Sequence, residues 1–135
     1  MTSSTNKLEG NQKPWDAVHD FDYRGFKCTV VRYTNERPNL AREFLEGFIA
    51  FEWWCGYVEI PKENKFYQKH YDEIDIECHG GLTFSGNLHV SDSNNSGKYC
   101  IGFDFNHGGD GGGDRPKVEF ECKKIVDQLL EVSFQ

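Results

Sequence analysis

A chain of 135 residues, 37% apolar, 15% aromatic and 27% charged, has the size and composition of one folded domain with its own core, not of a disordered polymer. It contains no run of about 18 apolar residues that would span a bilayer. A formal net charge of −7 argues against a basic patch that holds nucleic-acid phosphates.

Residues Met1 to Pro14 (MTSSTNKLEGNQKP) are polar, lack periodicity and have no apolar segment of a secretory signal, so a flexible tail at 1–14 and a cytoplasmic location are expected. The rest, 15–135, reads as a single domain. From Trp15 to Arg24 the chain mixes aromatic and acidic residues, and Trp15, Phe21 and Tyr23 are the side chains able to dock it on a core. Phe26–Tyr33 (FKCTVVRY) is β-branched and aromatic, which predicts a strand with Phe26, Cys28 and Val30 on one face. TNERPN is a turn, and Pro38 discourages a helix just before it. Leu40–Glu46 has helical propensity and ends at Gly47. The aromatic-rich stretch Phe48–Ile60 predicts a strand over Trp54–Ile60 that stops at Pro61. Its adjacent Trp53 and Trp54 must face opposite sides, so one is core and the other covers a loop or joins a surface patch. Pro61–Asp72 is a charged surface loop.

Two arms follow. In Ile74–Phe84 the residues Ile74, Ile76, Cys78, Leu82 and Phe84 alternate with polar neighbours, the period of a half-buried strand. In Lys98–Phe105 the apolar set is Tyr99, Ile101, Phe103 and Phe105, with Cys100, Gly102 and Asp104 on the other face. GNLHVSDSNNSG between them is rich in turn residues, which predicts an antiparallel hairpin. A loop centred near Ser91 and Asp92 brings His79 opposite Asp104 on the polar face. The run HGGDGGGD comes next, and its glycines suit a ligand loop or a connector. DFNHGG is only superficially a calcium loop, because Arg115 stands where the closing glutamate belongs. No GxxxxGK[ST] phosphate loop is present, and Ser85 lacks a GxSxG elbow. Finally, Asp114 can cap a helix with Pro116 in its first turn, and Val118, Cys122, Ile125, Val126 and Leu129 form its apolar stripe. The expected fold is therefore α+β: an antiparallel sheet of about four strands, covered on one face by the C-terminal helix.

Five cysteines without CxxC spacing read as small core residues in a reducing compartment, with Cys28, Cys78 and Cys122 on apolar faces. Charge is concentrated between Glu43 and Glu77, where nine carboxylates face Lys62, Lys65 and Lys69. That window either keeps the protein soluble or meets a basic groove on a partner. Glu59, Glu63 and Glu73, with Trp53 and Trp54, are the candidate contact residues.

His79, Asp104, His107 and Asp110 are the candidate chemical cluster. Imidazole and carboxylate donors on two strands and the next loop are types that hold one divalent ion and activate water for hydrolysis. The bland alternative is that Asp104 hydrogen-bonds His79 and Asp110 caps the glycine turn.

CGYV at Cys55–Val58, HGGLTFSG at His79–Gly86, GFDFNHGGD at Gly102–Asp110 and the VEFECKKIVDQL helix resemble a family of small proteins of unknown function that is widespread in phages and prophages. The resemblance covers roughly Phe48 to Leu130. Phe105 stands where that pattern often has a cysteine, which weakens any role for a thiol at this position. The resemblance implies a phage or mobile-element origin and a host-cytoplasmic location, and it supplies no reaction. Two functions are thus expected to compete. One is a counter-defence accessory protein that binds a host immunity protein with a basic surface, or that protein's small signalling ligand. The other is a metal-dependent hydrolase at the His/Asp cluster, so whether the protein is an enzyme stays open. A second copy of the chain is a further candidate partner.

Overall fold

The computed structural model describes residues 14–34, 52–105 and 114–133. The proposed tail up to Lys13, the helix at Leu40–Glu46, and His107 and Asp110 in the glycine-rich run lie outside the described residues. Among the described residues there are five strands and one long helix: β1 (Trp15–Tyr23), β2 (Phe26–Thr34), β3 (Glu52–Glu59), β4 (Phe84–Asn87), β5 (Tyr99–Asp104) and α1 (Arg115–Ser133). The sheet is antiparallel throughout, in the order β1-β2-β3-β5-β4, and α1 packs on it, so the fold is α+β.

β1 is a strand that the mixed sequence Trp15–Tyr23 did not advertise. It pairs with β2 from Trp15↔Tyr33 to Tyr23↔Phe26 across the two-residue Arg24–Gly25 turn. The opposite correction applies to Ile74–Phe84. Only Phe84–Asn87 enters the sheet, as β4. The period-two alternation is nevertheless real, because Ile74 and Ile76 are buried while Asp75 and Glu77 are exposed. A buried/exposed alternation needs one apolar neighbour, and here that neighbour is the core beneath α1 rather than a paired strand.

Helix α1 is built as its sequence demands. The Asp114 carboxylate accepts from the Lys117 N–H at 3.0 Å, and the Asp114 carbonyl accepts from Val118 at 3.1 Å. Val118, Cys122, Ile125, Val126 and Leu129 are all buried against Cys28, Val30, Val58, Ile101 and Phe103 of the sheet. Each such side chain gains about 1.5–3 kcal/mol from burial, so this stripe holds the helix. The surface contacts Arg24–Asp127 (2.8 Å) and His19–Glu119 (3.3 Å) only tune its position. Gly56 of the CGYV segment allows the close approach. A Cβ there would lie 2.6 Å from the Phe103 ring and 2.8 Å from the Cys122 sulfur.

The other face of the sheet is not the polar one that the hairpin reading implied. Val31, Cys55, Tyr57 and Cys100 form a second core there, closed by Leu88 and Val90 from the β4–β5 connection. That connection is not a simple turn. The β4–β5 ladder is centred on Ser93 (Asn87↔Tyr99), and the connecting chain folds back over the sheet towards β1 and β2. Asp20 of β1 fastens it there. Its Oδ1 accepts from Thr29 Oγ1 and Ser93 Oγ, both at 2.7 Å, and its Oδ2 accepts from the Asn94 N–H at 2.9 Å. Asn95 Nδ2 donates to Thr29 Oγ1 at 2.7 Å, and Trp15 Nε1 donates to Asp92 at 2.7 Å. Partial burial pushes the Asp20 carboxyl pKa up, but the three donors outweigh it and hold the group below the ordinary aspartate range.

Two predictions follow from this packing. Gly56→Ala should cost about 1–3 kcal/mol in denaturant unfolding, because the new methyl overlaps Phe103 and Cys122; an unchanged midpoint would mean that α1 is not seated on β3. For Asp20 the folded pKa lies below the unfolded one, so its stabilisation is full above the unfolded value of 3.8 and is lost as pH falls through the folded value. Asp20→Asn should therefore lower the melting temperature at pH 7 and flatten its acid dependence. Parallel acid profiles for the two proteins would contradict this role.

Candidate functional site

The carboxylate-rich segment on the far side of the Pro61 loop is held in place by helix α1. The Gln128 carboxamide acts towards it as a strand edge would. Gln128 Oε1 accepts from the Glu77 N–H at 2.8 Å, and Nε2 donates to the Glu77 carbonyl at 2.7 Å and to the Lys124 carbonyl at 3.0 Å. Both amide hydrogens and the oxygen are thus in use, which fixes the orientation of the group. About two helical turns back along the helix, Glu121 Oε1 accepts from the His79 N–H at 2.9 Å. Below these bonds Ile74, Ile76 and Cys78 enter the core.

Burial of Ile74 and Ile76 forces their polar neighbours outward. Asp72, Glu73, Asp75 and Glu77 are all exposed, and no basic residue interrupts them. Glu63 is exposed as well, whereas Glu59 at the end of β3 is half-buried. Asp72 meets His70 at 3.5 Å, while Glu63, Glu73, Asp75 and Glu77 have no ion pair among the described residues. The start of the row is also ordered: the His70 ring nitrogen accepts from the Asp72 N–H at 3.1 Å, and the Tyr71 N–H donates to Ser85 Oγ at 3.1 Å. The sequence supplied the charges of this row. It did not supply the Gln128 clamp, whose only trace is a polar residue on the helix beside the apolar stripe.

Trp53 and Trp54 do face opposite sides, and both are half-buried. Trp53 stacks on Tyr33 (5.8 Å between centroids) beside the second core, and Trp54 packs against the core under α1. They are supports rather than a free aromatic patch.

His79 and Asp104 are not brought together as an opposed pair. The ladder ends at Phe84↔Gly102, three residues out of the expected register, and His79 lies in the turn closed by Gly81 N–H on the Cys78 carbonyl. The His79 ring stacks on Phe105 (4.0 Å, 12°), which belongs to the core under α1. Asp104 pairs with Cys55 on β3, on the opposite face, and accepts from Thr83 Oγ1 at 3.2 Å. The register differs because the connection between the arms is a folded structure with its own buried residues. Among the described residues, no group of three or more His, Cys, Asp or Glu side chains could hold a metal ion.

The thiols are structural among the described residues. All five cysteines are free; Cys28, Cys55, Cys100 and Cys122 are buried and Cys78 is half-buried. Burial pushes the Cys55, Cys78 and Cys100 thiols up to about 12, and it raises Cys122 as well. Alkylation by iodoacetamide at pH 8 should therefore be slow for the native protein, with Cys78 labelled first, and rapid at all five positions in denaturant. Fast native labelling of Cys122 would contradict the packing of α1.

Comparison with protein-family models, with curated proteins and with solved structures finds no match to this chain. No described helix is long and apolar enough to cross a membrane.

Proposed function

We propose that this protein is a binding protein that sets its carboxylate row against a basic groove of a partner protein. The observation that carries this reading is the set of exposed carboxylates Asp72, Glu73, Asp75 and Glu77, with no basic residue among them, held on the domain by Gln128 and Glu121. Charges fixed on a packed segment are partly pre-ordered, so less side-chain and loop entropy is lost on docking than for a mobile acidic tail. Fields of this kind speed encounter and select partners of opposite sign. The motif resemblance supports a phage or prophage origin. On that basis the partner is a host immunity protein and the activity is counter-defence in the host cytoplasm. Capture of the immunity system's small signalling ligand is the variant of this reading that needs a pocket instead of the row.

Metal-assisted hydrolysis remains the alternative that uses His79, Asp104, His107 and Asp110 around one divalent ion. The β4–β5 register does not set His79 opposite Asp104, and this favours binding over that chemistry.

Glu63→Gln, Glu73→Gln, Asp75→Asn and Glu77→Gln together should leave the melting temperature within a few degrees of wild type, because all four are exposed. In pull-downs from host lysate the wild type should retain one protein partner. That partner should be lost with the neutralised set and with wild type at high salt, where screening shortens to a few ångströms. Retention of the same partner by the neutralised protein would overturn the proposal. So would turnover of an ester or nucleotide that depends on His79 and a divalent ion.

A further inference from the structure

A cavity of about 340 Å³ lies between the end of the β1–β2 hairpin and the β4–β5 connection, away from the carboxylate row. Its size is at the low end of the range of small-molecule pockets, roughly 300–1,000 Å³. Its wall is built, because Asp20 is held there by Thr29, Ser93 and the Asn94 N–H. The wall carries charges of both signs, and bonding capacity remains on each. Both lone pairs of Asp20 Oδ1 are taken, whereas Oδ2 accepts only from Asn94 and keeps one acceptor position. Asp22 and Lys27 face each other across the last rungs of the hairpin at 3.5 Å, a long contact that leaves carboxylate and ammonium capacity free. Lys98, half-buried on the opposite wall, has no hydrogen bond or ion pair from its ammonium among the described residues. The Asn94 side-chain amide adds a neutral donor and acceptor at the rim.

A simple anion would meet two aspartates, and a simple cation would meet two lysines. The lining suits a ligand that carries both charges a few bonds apart. We infer that this cavity binds a small zwitterion of the free α-amino-acid class, with its ammonium on Asp20 Oδ2 and Asp22 and its carboxylate on Lys98 and Asn94. Charge-assisted hydrogen bonds at both ends give orientation, and the limited volume favours short side chains.

The test is calorimetric titration of the full chain with glycine, alanine, serine and aspartate up to about 10 mM, where weak binding of this class is measurable. N-acetyl and methyl-ester forms of the same compounds remove one charge at a time. At least one free amino acid should bind, and both of its blocked forms should bind about tenfold more weakly or not at all, the loss of one charge-assisted contact. Lys98→Met and Asp22→Asn should each cause a similar loss with the melting temperature unchanged, since neither residue anchors the connection. Amide spectra should place the shifts at Asp20–Lys27 and Asn94–Lys98. No binding by any free amino acid, equal binding of a blocked form, full affinity in both variants, or shifts mapping elsewhere would each overturn the assignment.

Discussion

The exposed acidic row depends on a side-chain amide that takes the place of a β-strand. Gln128 gives and receives a hydrogen bond at Glu77 and spends its remaining hydrogen on its own helix. Each such bond contributes only about 0.5–1.5 kcal/mol net. Both bonds lie at an exposed position, so the pair adds little stability and acts by selecting where the segment lies. The geometry is transmitted from the sheet. Gly56 lets Cys122 settle close to β3, the apolar stripe then fixes the rotation of α1, and that rotation aims Glu121 and Gln128 at the Ile74–His79 chain. The carboxylates face water because the isoleucines between them do not.

A second constraint works on the opposite face. The β4–β5 connection leaves one edge of the sheet and returns over β1 and β2, at the other edge. Leu88 and Val90 supply the burial, and Asp20, Thr29, Ser93 and Asn95 supply the address. A buried polar group without partners costs roughly 1–3 kcal/mol, and no buried side-chain nitrogen or oxygen among the described residues is left without one. Apolar burial therefore drives this closure, while the hydrogen-bond set selects one register for it. Both strands of the β1–β2 hairpin take part, so each face of the sheet is tied to a segment distant in sequence.

Much of this was legible in the sequence, for identifiable reasons. The capped helix with its five-residue stripe, the strands β2, β3 and β5, the core role of Cys28 and Cys122, and the alternation through Ile74 and Ile76 all follow from local periodicity. β1 was hidden because His19, Asp20 and Asp22 dilute its apolar pattern; His19 is spent on the helix, Asp20 on the connection and Asp22 on Lys27 of β2 rather than on a core. The hairpin register was out of reach because a polar-looking connection conceals Leu88, Val90, Ser93 and Asn95, all buried. The two-residue steps Leu88–Val90 and Ser93–Asn95 were the available signal, and turn-rich neighbours masked it. The His79–Asp104 pairing failed with that register. Periodicity also identifies a face without naming what covers it, which is why the arm at Ile74 reads as a strand although a helix supplies its partners.

The carboxylate row can act as a rigid surface only if the clamp holds it in solution. Amide hydrogen exchange at Glu77 and His79, compared between wild type and Gln128→Ala, measures this directly. In wild type both amides should be protected to a degree that tracks the global stability. In the variant Glu77 should exchange at least about tenfold faster, the loss of one hydrogen bond, with the amides of β2 and β3 unchanged. Rapid exchange of Glu77 in the wild-type protein, or identical rates in the two proteins, would show that the segment is not held by the helix.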